Sequence, residues 1–225
     1  MSSDPIVERL KEFAACDVSD ALLKLKHPHG GFLADIVMYS PQMQSGDTKI
    51  VGPAYTVKFV KNNHVNAPKP PNNYIDTVPE GHVVFISGPS SRQVNALYGG
   101  LMSLRAKQRG AAGTVIDGRV RDLAEQRSLN YPVFARGSGT VPAGEVARPS
   151  EINVPVKLNS DDQEAWIHPG DYIIADVDGV VCLPKELAEQ ALELMPAIVE
   201  ADRKAGIDIA NGGELAAAFA KHRGK

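Results

Sequence analysis

Gly113-Thr-Val-Ile-Asp-Gly-Arg-Val-Arg-Asp122 is the stretch on which the fold turns. The β-branched run Thr114-Val115-Ile116 predicts a short strand. Asp117 and Gly118 are turn formers and predict its end. That break delivers Arg121 and Asp122, side by side, near the end of the strand. Upstream, residues 97–109 carry Leu101, Leu104 and Ala106 at helical spacing, and Gly110 supplies a stop. Downstream, a helical stretch from Asp122 to Ser128 leads to a further strand, Pro132 to Ala135. Strand, helix, strand, helix, strand is the rhythm of a layered α/β domain.

The flanking segments extend this pattern. Residues 50–60 predict a strand through the alternation of Tyr55, Val57 and Phe59, with Gly52-Pro53 marking a bulge or an edge. Residues 61–73, rich in Asn, Pro and Lys, read as a long loop, and His82 to Ser87 as a buried strand. An amphipathic helix is expected over 5–14, with Ile6, Leu10 and Phe13 inward. A second, over Asp20 to Leu25, has Asp17 and Ser19 as caps. Beyond Gly137, β segments are expected at 152–158, 172–175 and 179–183. Helices follow over 185–204, interrupted at Pro196, and from Glu214 to His222. There is no internal repeat or evident linker, so residues 1–225 read as one domain.

Composition narrows the function classes. The chain has 225 residues, 43% hydrophobic and 23% charged, with a net charge of −3, which is ordinary for a globular protein. No basic tract supplies the electrostatic footprint of a nucleic-acid binder. No apolar window approaches the ~18–20 residues needed to span a bilayer. The N-terminal Met-Ser-Ser-Asp-Pro has no secretory pattern, so a cytoplasmic protein is expected. Cys182, in an apolar run, reads as a core thiol, and Cys16 as structural, with a disulfide between them not required. His27-Pro-His29 lacks a third ligand nearby and reads as a loop. Asp176-Val-Asp178-Gly179 lacks the closing positions of a calcium loop and reads as a turn between strands.

Two pieces carry chemistry. Arg121 offers fixed-geometry donors to a carbonyl or carboxylate oxygen. Asp122 offers a hard oxygen ligand to a cation such as Mg2+. Gly99-Gly100 opens the helix after residue 98, where free backbone N–H groups and the helix dipole favour an anion and glycine lets it approach. Each piece alone also fits a plain reading, a surface salt bridge and a tight turn. One helix links them, and helix starts and strand ends share the ligand-binding edge of α/β folds.

The chain resembles the family that contains the regulator of ribonuclease activity A and the 4-hydroxy-4-methyl-2-oxoglutarate/4-carboxy-4-hydroxy-2-oxoadipate aldolases. The residues that carry the resemblance are Asp17-Val-Ser-Asp-Ala-Leu22, Gly52-Pro-Ala-Tyr-Thr-Val57, Leu101-Met-Ser-Leu104, Arg109-Gly110, Gly113 to Asp122, Pro132-Val-Phe134, and Gly170-Asp171 through Val181 with Pro184. Tyr98-Gly-Gly-Leu-Met-Ser103 looks most like fungal members. The resemblance implies an α/β/α sandwich similar to a swivelling phosphohistidine domain, assembled as a homotrimer or homohexamer. It implies a class II, divalent-metal pyruvate aldolase using Mg2+ or Mn2+, acting on 4-hydroxy-2-oxo acids and decarboxylating oxaloacetate to pyruvate. By the same resemblance, Arg121 binds the keto oxygen, Asp122 ligates the metal, and the backbone of Gly99, Gly100, Leu101 and Met102 takes the pyruvate carboxylate. Glu200 would complete the site of an adjacent subunit.

One departure is visible. The aldolases carry an acidic residue twenty-one positions before the Arg-Asp pair, and that position here is Gly100. Asp117, Asp76 and Asp20 are candidate substitutes. Two other readings remain: a non-catalytic regulator of the same family that binds a ribonuclease or another protein, and a Schiff-base enzyme using Lys58.

Overall fold

The computed structural model describes residues 4–91 and 93–224. Residues 1–3, read above as lacking a secretory pattern, lie outside the described residues. The central sheet runs in the order β1 (Val37–Ser40), β6 (Val133–Ser138), β5 (Gly113–Val120), β3 (Val83–Ser87), β2 (Ile50–Lys61), β10 (Tyr172–Asp176), β11 (Gly179–Leu183). β4 (Ala96–Tyr98) adds to β5 and β7 (Ala147–Ile152) to β2, while β8 (Val156–Lys157) and β9 (Trp166–Ile167) form a separate ribbon. β2, β3, β5 and β6 are parallel, and β1, β7, β10 and β11 join antiparallel.

In place of the α/β/α sandwich that the resemblance implies, the sheet is curled almost shut. Met38 of β1, Ala54 of β2, Phe85 of β3, Val115 of β5, Phe134 of β6, Ile173 of β10 and Val180 of β11 all meet in one buried cluster. Strands from both ends of the sheet can share a core only if the sheet wraps around it, as the twist of a long sheet favours. The Leu33 N–H donates to the Val180 carbonyl at 2.9 Å and Phe32 bridges to Val181, tying the segment before β1 to β11. The architecture is thus mixed α/β with helices outside a barrel-like sheet. On one outer side α1 (Pro5–Leu10), α2 (Ala15–Lys24) and α5 (Ala188–Ala210) bury Leu10, Leu22, Leu192 and Met195. On the other, α3 (Gly100–Gln108) and α4 (Leu123–Ser128) lie over a cluster that includes Tyr55, Tyr98 and Tyr131.

Several local expectations change. Asp117 and Gly118 do not end the strand: β5 runs through them to Val120, with an irregularity between Ile116 and Arg119. Pairing with β6 and β4 on both sides holds the extended backbone against local turn propensity. In α3 the buried residues are Gly100, Ser103 and Ala106, while Leu101 and Leu104 are exposed. Small residues line the inward face because α3 sits close to the sheet. The first helix stops at Leu10 and buries Val7 with Leu10. The second begins at Ala15, where the Asp17 carboxylate accepts the Ala14 N–H at 2.8 Å. Pro196 lies inside an unbroken α5, and a last helix, α6 (Leu215–Arg223), follows. Gly52 marks no bulge, since β2 pairs in regular register with β10 there. A Cβ at Gly52 would lie 2.3 Å from the Gly81 carbonyl oxygen, so the glycine serves a close backbone crossing.

Candidate active site

Arg121 and Asp122 emerge where β5 meets α4. The Arg121 N–H donates to the Tyr98 carbonyl at 3.0 Å, which carries the β4–β5 pairing to the end of the strand. Asp122 then takes a left-handed backbone, φ 63° and ψ 41°, and caps α4. For a residue with a Cβ this conformation is uncommon and mostly a device of turns and functional sites. It is held from below: buried Gln126 donates from Nε2 to the Arg121 carbonyl at 2.9 Å.

The turn aims the Asp122 side chain at the start of α3. Its Oδ2 accepts the Gly100 N–H at 3.0 Å and Arg121 Nε at 3.1 Å. Among the described residues Oδ1 has no partner. Arg121 also donates from Nη1 to the Thr140 carbonyl at 3.2 Å, so its guanidinium is held at two points and only about a third exposed. The glycines make this contact possible. A Cβ on Gly99 would sit 2.6 Å from Asp122 Oδ2 and 3.2 Å from Arg121 Cγ. Beyond Gly100, the first-turn N–H groups of Leu101 and Met102 have no helical acceptor, leaving an anion cradle beside the guanidinium.

A residue missed by the sequence reading completes the cluster. Glu125, three positions after Asp122 on the first turn of α4, points at Gly100. A Cβ there would lie 1.9 Å from Glu125 Oε2, so this carboxylate fills the space that a side chain at position 100 would need. The signal was present in the sequence: residues i and i+3 share a helix face. It could not be used without knowing that α4 and α3 face each other. The three substitutes considered earlier lie elsewhere. Asp117 is buried on Arg136, at 2.5 Å from its Nε, and burial raises its pKa. Asp76 pairs with Arg105 at 2.6 Å. Asp20 lies on α2, which packs against α5.

Asp122 and Glu125 are hard oxygen donors on one helix turn. Among the described residues no three His, Cys, Asp or Glu side chains form a metal cage. Two carboxylates suit Mg2+, which keeps several waters, better than a softer ion that needs a closed set of ligands. Glu200 is not brought to this cluster within the chain. It lies on α5, which packs on α1, α2 and α6, and accepts Arg203 Nε at 2.7 Å and Nη2 at 2.9 Å. Those hydrogen bonds, with Lys204, hold its carboxyl down at about 2.

The remaining singled-out residues take plain roles. Cys16 and Cys182 are both free thiols. Asp176 accepts the Asp178 N–H at 3.0 Å and the Ala15 N–H at 2.8 Å, forming the β10–β11 turn. Pro28–Gly31 is a kinked turn in which His29 and Gly30 take left-handed backbone, at φ 53° and φ 59°. Trp166 of β9 is half exposed. Among the described residues no helix is long and apolar enough to cross a membrane.

An arginine, two carboxylates and a free helix start converge on one point of a curled α/β sheet, with donors suited to an anion beside oxygens suited to a cation. Comparison with known proteins places it. The RraA-like family model (Aldolase/RraA) matches residues 15–182, and the chain belongs to this family. A protein of Albidiferax ferrireducens that bears the provisional name 4-hydroxy-4-methyl-2-oxoglutarate aldolase is 31% identical over 175 residues, covering 75% of this chain and 94% of that protein. Protein DlpA of Legionella pneumophila is 29% identical over 220 residues, covering 96% of this chain. The chain spans only 34% of the length of DlpA, and 64% of a similarly named aldolase of Halalkalibacterium halodurans. The crystal structure of an uncharacterized protein from Pseudomonas syringae superimposes with a TM-score of 0.78 at 29% identity, over 95% of this chain and 96% of that one.

Proposed function

We propose that this protein is a divalent-metal-dependent carbon–carbon lyase of the class II pyruvate aldolase type. It releases pyruvate from 4-hydroxy-2-oxo acids such as 4-hydroxy-4-methyl-2-oxoglutarate, or from oxaloacetate by loss of CO2. The observation that carries this reading is the convergence of Asp122 and Glu125 on Gly100 beside the Arg121 guanidinium. The aldolase names of relatives support the same reaction class.

Asp122 and Glu125 would hold Mg2+ or Mn2+, and Glu200 of an adjacent subunit in a trimer or hexamer would close the site. The bound ion supplies positive charge where the enolate oxygen develops. Arg121 donates to the same keto oxygen, and its two protein anchors keep it aligned without reorganisation. The N–H groups of Leu101 and Met102 bind the substrate carboxylate, which fixes the 2-oxo acid end in one orientation. Aldol cleavage also needs a base for the 4-hydroxyl proton, whereas decarboxylation does not.

A lactate-dehydrogenase-coupled pyruvate assay over a small panel of 2-oxo acids, with and without Mg2+ and Mn2+, tests this. Pyruvate release that disappears with chelator supports it. Full activity in chelator, or no release from any substrate together with metal-independent binding of a protein partner, overturns it in favour of a non-catalytic regulator. Borohydride trapping of pyruvate on a lysine would point instead to a Schiff base.

A further inference from the structure

Four hydroxyls lie buried behind the candidate site: those of Tyr98, Ser103, Thr114 and Tyr131. Thr114 is their hub. Its Oγ1 donates to the Tyr98 hydroxyl at 3.1 Å and lies 3.0 Å from the Tyr131 hydroxyl. Ser103 hydrogen-bonds to the Tyr98 hydroxyl as well. Its Oγ also reaches the Gly99 carbonyl at 3.4 Å, which the Ser103 N–H meets at 3.1 Å. Among the described residues no charged side chain hydrogen-bonds to this cluster. Burial pushes the Tyr98 phenol up to about 12, and that of Tyr131 well above its usual value. Both therefore stay protonated at neutral pH. A cluster that carries no charge and gives up no proton can act on the site only through geometry.

The hydroxyls belong to the elements that carry the two halves of the site. Tyr98 ends β4 and directly precedes Gly99-Gly100, and its carbonyl accepts the Arg121 N–H at 3.0 Å. Ser103 lies on α3, the helix whose start forms the anion cradle. Tyr131 follows α4, which carries Asp122 as its cap and Glu125 in its first turn. The Tyr131 N–H donates to the Gln126 carbonyl at 3.2 Å, and Gln126 Nε2 to the Arg121 carbonyl at 2.9 Å. Thr114 thus joins the backbone that sets the cradle, through Tyr98, to the helix that sets the carboxylates, through Tyr131. The contact that depends on this spacing is the one across the site, from the Gly100 N–H to Asp122 Oδ2 at 3.0 Å. Misplacing site groups by ~1 Å can cost on the order of 100-fold in rate.

We propose that Thr114 is a positioning residue: its hydroxyl, held between Tyr98 and Tyr131, fixes the distance between the anion cradle of α3 and the carboxylates of α4. This deepens the lyase reading and rests on it for the ligand. The test compares Thr114→Val, which keeps the shape and removes the hydroxyl, with Thr114→Ser, which keeps the hydroxyl and removes a methyl. Two readouts are taken on the full chain: amide hydrogen exchange at Gly100 without metal, and calorimetric titration of oxalate in Mg2+. Thr114→Val should speed exchange at Gly100 and weaken oxalate, each by about tenfold, the size of one misaligned hydrogen bond. Thr114→Ser should stay near wild type in both, even where its thermal midpoint falls as far. Wild-type exchange and oxalate affinity in Thr114→Val would overturn the proposal and leave Thr114 a stability residue only. Equal losses in Thr114→Ser would overturn it too, since packing and not the hydroxyl would then be at work. If Thr114→Val does not fold, Tyr131→Phe, which removes one partner hydroxyl, should give a smaller loss in the same direction, and no loss there overturns the proposal. If wild type binds no oxalate, the lyase reading falls, while exchange at Gly100 still decides the role of Thr114.

Discussion

Replacing Gly100 by alanine separates stability from activity at this site. The added Cβ would lie 1.9 Å from Glu125 Oε2 and 2.8 Å from its carboxyl carbon, so one of the two must move. Glu125 is exposed and on the first turn of α4, so it can swing into solvent without leaving a hole. Meanwhile alanine is favoured over glycine in a helix by about 0.5–1 kcal/mol. The two effects nearly offset, and the thermal midpoint should change by no more than ~2–4 °C. Activity should not survive as well. Losing one supporting carboxylate typically costs ~10–100-fold in metal affinity or turnover. The assay is pyruvate release against Mg2+ concentration for wild type, Gly100→Ala, Glu125→Gln and the double variant. If Glu125 is displaced, the two single losses match and the double variant is no worse than either. Wild-type metal dependence in Gly100→Ala, or additive losses in the double variant, refutes the role given to Glu125.

Other outcomes follow from the same geometry. Arg121→Ala and Asp122→Ala should each lower turnover ~10²–10³-fold while the circular dichroism spectrum stays native. Asp117→Ala removes the buried partner of Arg136 Nε and of the Asn159 N–H while Asp35 and the Asn159 carbonyl still hold the guanidinium, so urea unfolding should show a loss of ~1–3 kcal/mol; no measurable loss would mean the pair is solvated. Cys16 is exposed, yet burial of its thiol and the adjacent Asp178 carboxylate push it up to about 11. Its thiolate fraction at pH 8 is then ~100-fold below that of a free thiol. Iodoacetamide should label it correspondingly slowly, and faster in Asp178→Asn.

Much of this protein was legible in the chain itself. Although residues 96–98, read in part as helix, form β4, most strand and helix positions from residue 50 to 135 follow from hydrophobic period and glycine punctuation. So does the placing of Arg121 and Asp122 at a strand end next to a helix that begins at Gly99-Gly100, because each depends on residues near in sequence. What failed was long-range. The end predicted at Asp117-Gly118 gave way to β5 pairing on both sides, and the break predicted at Pro196 to the packing of α5 on α2. Closure of the sheet depends on contacts between β1 and β11, which are some 140 residues apart and leave no local mark. The same holds for Glu125. The family resemblance implied an acid missing at position 100, but only the packing of α4 against α3 shows a carboxylate from another element occupying that space. Local propensity and motif order are written along the chain; which distant side chains share one small volume is decided by how the folded chain packs.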